Sequence, residues 1–128
     1  MNEKSMEKVR QYNRESFGKV LDHHELMGRY LPELLEKWFE ARKVLFKEPP
    51  EGALTLREKE LIAVAIEITA RKPDVGGHAK RAIDAGATVQ EVAEVAGLCI
   101  LLAGMITYVE SGQSAVRAAE EHAKTLKR

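Results

Sequence analysis

Apolar side chains recur along the chain at helical spacing, and no alternating β-branched run bounded by turn residues announces a strand. The pattern predicts an all-α fold of about six helices. Met6, Val9, Tyr12, Phe17 and Val20 lie loosely on one face of a first helix from about Lys4 to Val20. Leu31, Leu34, Leu35, Trp38, Phe39 and Leu45 follow a cleaner i, i+3, i+4, i+7 pattern, with Pro32 suited to a first turn. Pro49-Pro50-Glu51-Gly52 stops this second helix. In Thr55-Leu56-Arg57-Glu58 the threonine oxygen and the glutamate carboxylate are spaced to satisfy one backbone donor each, so a third helix starts there. It runs through Leu61 to Ala70, apolar on every face except at Glu67, which reads as a fully buried element, and Arg71-Lys72-Pro73-Asp74 ends it. A short fourth helix spans Gly77 to Ala85, with Gly86 placed to take the left-handed conformation just past its end. Thr88-Val89-Gln90-Glu91 repeats the capping spacing and opens a fifth helix, Val89 to about Val109. There the missing side chains of Ala93, Gly97 and Gly104 would let another helix backbone approach closely. A more polar last helix runs from Ser111 to Lys127.

A chain of 128 residues fits one domain with one core. Its own outer helices are too few to surround both apolar helices, and neighbouring copies are the simplest cover, so a homo-oligomer is expected. Val95 to Val109 is free of charge but shorter than the roughly 20 residues a membrane-spanning helix needs, so it belongs to a protein core rather than a membrane. Basic and acidic residues number 20 each, and with no net field to attract a polyanion, nucleic acid is not an expected partner. One cysteine, Cys99, allows no intramolecular disulfide, and the first five residues lack the apolar stretch of a secretory signal; a cytoplasmic location is the expectation.

Glutamate inside an apolar helix is costly unless paired, which singles out Glu67. Glu60 stands seven residues earlier, about two turns, on a similar face. His78 follows Gly76-Gly77 at a helix opening, where backbone N–H groups and the positive end of the helix dipole favour an anion. Arg71, Lys72, Lys80 and Arg81 crowd the same stretch, so a carboxylate-bearing ligand would be stabilised there and His78 could exchange a proton with it. The same residues are equally compatible with a solvated basic surface and structural ion pairs. His23 and His24 are adjacent, point apart on a helix and have no ligand cluster around them, so no protein-bound metal is expected. Cys99, in the middle of the most apolar helix, is expected to behave as a small inert hydrophobe.

Three segments carry a family likeness: Leu56-Arg57-Glu58-Lys59-Glu60-Leu61-Ile62-Ala63-Val64-Ala65, then His78-Ala79-Lys80-Arg81-Ala82-Ile83-Asp84-Ala85-Gly86-Ala87-Thr88, then Glu91-Val92-Ala93-Glu94-Val95. Over about Leu34 to Ala119 the chain resembles the carboxymuconolactone decarboxylase family, which includes the alkylhydroperoxidase D-like proteins; residues 1–30 read as an N-terminal helical extension. The resemblance implies an all-helical fold assembled as trimers, hexamers or related rings. Its peroxidase members carry a Cys-x-x-Cys-x-x-x-His motif preceded by a proton-relay glutamate, to which His78 and Glu60 correspond. The cysteine positions hold Arg71 and Asp74 here, so no dithiol can form and peroxide reduction is disfavoured. The decarboxylase branch, which acts on a lactone, resembles the chain better. It implies acid–base chemistry without a cofactor on a small carboxylate, with His78 protonating an enolate-like carbanion and Glu60 or Glu67 orienting or recharging it. A non-catalytic binding protein of the same fold is the alternative.

Overall fold

The computed structural model describes residues 2–126, which contain helices and no strand. The chain divides into two compact units, one ending at Lys47 and the other beginning at Glu48.

The first unit holds α1 (Glu3–Phe17), α2 (Asp22–Tyr30) and α3 (Pro32–Leu45). Asn2 caps α1 by accepting the Ser5 N–H at 2.8 Å. Met6 and Val9 of α1 pack with Leu35 and Phe39 of α3, and Tyr12 and Met27 close the cluster. Arg42 lies over the rings of Tyr12, Phe17, Trp38 and Phe46, its guanidinium bonded to the Tyr12 hydroxyl. The sequence pattern carries the first helix on to Val20, but it stops at Phe17 and a separate α2 follows. That element is short and largely polar, and no side chain caps its start, so it leaves little trace in the pattern.

The second unit holds α4 (Leu56–Thr69), α5 (Gly76–Asp84), α6 (Val89–Ala103), the single turn α7 (Met105–Thr107), a π-helical turn Tyr108–Gly112 and α8 (Gln113–Thr125). Both expected capping boxes are formed: Thr55 accepts from the Glu58 N–H and Thr88 from the Glu91 N–H, with the glutamates reaching back. Hydrogen bonds from the Thr55 backbone and hydroxyl hold the Glu58 carboxyl below its ordinary range. Gly86 takes φ +102 past the end of α5, as its position predicts. The core is Val64 and Ile68 of α4, Ala79 and Ile83 of α5, Val92, Ala96 and Cys99 of α6, and Ala115 and Ala119 of α8. Alanines on α8 let it lie close against α5 and α6.

Several expectations are corrected here. One core is expected, and the described residues hold two apolar clusters, one in each unit. The third helix does not bury every face: Glu60, Val64 and Ile68 point inward, while Ile62 and Ile66 are exposed. The fifth helix stops at Ala103 because Gly104 adopts φ +100 and ψ 154, an extended conformation closed to other residues, and a Cβ there would meet nothing within 4 Å. Gly104 therefore turns the chain; within the chain it seats no neighbouring helix. The helical path resumes at Met105 and passes through the π turn into α8, ending at Thr125; the expected end at Lys127 lies outside the described residues. No helix among the described residues is long and apolar enough to cross a membrane.

Candidate functional site

The second unit gathers Glu60, Glu67, His78 and Arg81 into one cluster. The Thr55 cap fixes the start of α4, and a helix so begun places Glu60 inward beside Val64 and Glu67 about two turns after Glu60, at the edge of the buried face. α5 packs on α4 and presents His78 and Arg81, three residues apart on one face, to those carboxylates. His78 Nδ1 lies 2.6 Å from Glu60 Oε2, and Nε2 lies 3.3 Å from Glu67 Oε1. Arg81 Nη2 stands 2.8 Å from Nδ1 and 3.2 Å from Nε2, covering that side of the ring, and Arg81 Nε is 3.5 Å from Glu60 Oε1. Two carboxylates, one guanidinium and one imidazole thus share one largely buried cluster.

This arrangement has definite chemical content. Glu60 is almost fully buried and its short contact to Nδ1 fixes the ring's orientation, which favours Nδ1–H and leaves Nε2 as the nitrogen that exchanges a proton. Arg81 offsets part of the negative charge that two carboxylates bring together. Among the described residues, no group of three or more His, Cys, Asp or Glu side chains is arranged to hold a metal ion.

The expected ligand-binding residues are not all gathered here. Arg71, exposed and at φ 56, pairs with Glu110 at 3.6 Å. Lys72 Nζ lies 4.0 Å from Glu67 Oε2, and Lys80 and Gly77 are exposed. Gly76 is buried, and its N–H donates to Asp74 Oδ1 at 3.1 Å, so the donor expected to face an anion already has a carboxylate from the chain itself. Asp74 was not singled out from sequence; the Asp-x-Gly spacing of Asp74-Val75-Gly76 is the signal that could have found it. Ser111, also missed, donates from Oγ to the Lys72 carbonyl at 2.5 Å and so ties the α4–α5 connection to the π turn. Cys99 is buried, with Sγ 3.7 Å from the Ala65 carbonyl and 3.8 Å from Thr69 Oγ1. With exposed Arg71 and Asp74 at the positions where peroxidase relatives hold sulfurs, the site offers no thiol to a peroxide.

Comparisons with known proteins bear on the fold and the family. No curated protein matches the chain. Among solved structures, a protein from Burkholderia xenovorans LB400 assigned as a carboxymuconolactone decarboxylase is similar with a TM-score of 0.84 and 28% identity, covering 96% of each chain. A carboxymuconolactone decarboxylase family protein from Legionella pneumophila, in its apo form, shares the fold with a TM-score of 0.69 and 22% identity, over 93% of this chain and 97% of that one. Residues 32–121, spanning α3 to most of α8 and the whole Glu60–His78 cluster, match the family's sequence pattern, and the chain therefore belongs to the carboxymuconolactone decarboxylase family.

Proposed function

We propose that the protein is an acid–base enzyme of the decarboxylase type, acting on a small carboxylate or lactone substrate without a cofactor. The observation that carries this reading is the bracketing of one imidazole between two carboxylates, one of them buried. In the proposed reaction the carbon–carboxylate bond breaks, carbon dioxide leaves, and the electron pair stays on the substrate as an enolate. His78 Nε2 then donates a proton to carbon. Arg81 balances charge beside the ring, and Lys72 is the remaining expected cation within ion-pair distance of the cluster, through Glu67. General acid catalysis of this kind contributes typically about 100-fold to 10,000-fold.

Assembly belongs to the same proposal. Leu98, Leu101, Leu102, Met105, Ile106 and Val109 are all exposed around the Gly104 turn, and Leu102 is 82% exposed. Large apolar side chains so exposed and so close along the chain are rarely left to water, which supports a homo-oligomer, a trimer or larger; a cytoplasmic location is proposed with it.

A specific observation favours a second reading: Glu60, His78 and Arg81 pair with one another, as a structural ion-pair cluster in a non-catalytic binding protein would. The deciding experiment is a screen of purified protein for lactone and keto-acid decarboxylation, followed by His78→Gln. Turnover that falls by at least about 100-fold with an unchanged melting temperature supports the enzyme. Full activity in the variant removes His78 from the mechanism, and no turnover with any substrate leaves the binding protein as the better reading.

A further inference from the structure

The family resemblance places the proton relay on Glu60, but the two carboxylates differ in the property a relay needs. Glu60 is 2% exposed and bonds Nδ1 at 2.6 Å; Glu67 is 18% exposed and faces Nε2 at the longer distance of 3.3 Å. Glu67 Oε1 is buried and receives no hydrogen bond, an expensive position for a carboxylate oxygen beside an imidazole nitrogen. Its other oxygen faces the exposed Lys72 at 4.0 Å. Glu67 thus has one oxygen toward the ring and one toward the solvent side, whereas Glu60 is sealed behind it.

We propose that Glu67, and not Glu60, is the carboxylate that carries protons between solvent and His78. A proton from water is taken up on the outer oxygen, the carboxyl group turns about its last bond, and the proton passes to Nε2 of the neutral ring. Glu67 returns to carboxylate, the ring becomes imidazolium, and Nδ1–H stays on Glu60 throughout; no electrons change hands. Glu67 acts through His78 and is a positioning residue. The proposal rests on His78 being the proton-carrying group, but its test needs no substrate.

The test uses full-length protein labelled with nitrogen-15 at histidine and reads the rate at which the His78 ring proton exchanges with solvent, by magnetic resonance. Glu67→Gln is expected to slow exchange by at least about tenfold, below the ordinary range for a positioned acid–base group. Glu67→Asp, and Glu67→Gln in acetate buffer, are expected to recover much of the rate. Glu60→Gln is expected to change the nitrogen shifts that report the ring's tautomer and to slow exchange less than Glu67→Gln does. An unchanged or faster rate in Glu67→Gln, or slowing in Glu60→Gln alone, overturns the assignment. If exchange slows as expected while no decarboxylation is found, the relay stands and the enzymatic reading falls; the two failures are thereby distinct.

Discussion

His24, in the first unit, is a second buried imidazole with a different fate. It is 3% exposed, its Nδ1 lies 2.9 Å from Asn13 Oδ1, and Trp38 and Phe39 stand at ring-centroid distances of 5.0 and 5.4 Å. Burial first, then the nearby charges of His23 and Arg42, push its pKa from 6.5 down to about 4. Above pH 6.5 the ring is neutral in both folded and unfolded chains. As the pH falls from 6.5 toward 4 the unfolded chain takes up a proton that the folded ring refuses, so stability is lost across that window and levels off below it. The loss is at most about 3 kcal/mol. Trp38, the chain's one tryptophan, packs on this ring and reports the unit directly. Its fluorescence in urea should show a midpoint that drops between pH 7 and pH 4.5, and by more than in His24→Gln; equal slopes for the two proteins would remove His24 as the cause. At this scale the sequence is legible where chemistry conflicts with surroundings. Glu67 within an apolar helix, Glu60 two turns before it and His78 after two glycines all stand out, and they meet. Asp74 does not stand out, since an aspartate before a helix is ordinary, and its capture of the Gly76 N–H depends on the path of a loop.

Among the elements, Gly104 sets the sharpest expectation. Its φ and ψ fall in a region that costs other residues about 1–3 kcal/mol, so Gly104→Ala should lower stability by that amount in urea unfolding even though the site is open. A neutral substitution would mean that α6 can continue as a helix through this point. Gly97 offers the opposite case. It sits inside α6 with nothing within 4 Å of a Cβ, so Gly97→Ala should stabilise the isolated chain by about 0.5–1 kcal/mol through helix propensity alone. If a neighbouring copy lies against Gly97, the same variant should weaken assembly, which analytical ultracentrifugation at graded concentrations measures directly. Elements with side-chain caps were legible: Thr55 and Thr88 fixed the starts of α4 and α6 to the residue. α2 was not, having no side-chain cap, and the end of α6 was not, because a glycine in an uncharged run reads as packing until its backbone angles are known.

For the whole molecule, light scattering is expected to return a mass several times 14.3 kDa at micromolar concentration; a mass near 14.3 kDa would refute the assembly. Leu102→Glu should lower the measured mass with little loss of helix content, because Leu102 touches little of its own chain. The all-α class and the crowded apolar surface are legible from composition and periodicity, whereas the division at Lys47 is not, since Pro49-Pro50 reads as a helix stop and carries no mark of which core each side joins. That division bears on how the protein can be trimmed. The stretch shared with the family begins at residue 32, where α3 begins, yet Leu35 and Phe39 of α3 are covered by Met6 and Val9 of α1. A fragment cut to the family boundaries would keep the Glu60–Glu67–His78 cluster whole and leave those two side chains bare. It should therefore be prone to aggregate, and a fragment started at Glu48 should be the better-behaved minimal carrier of Glu60, Glu67 and His78.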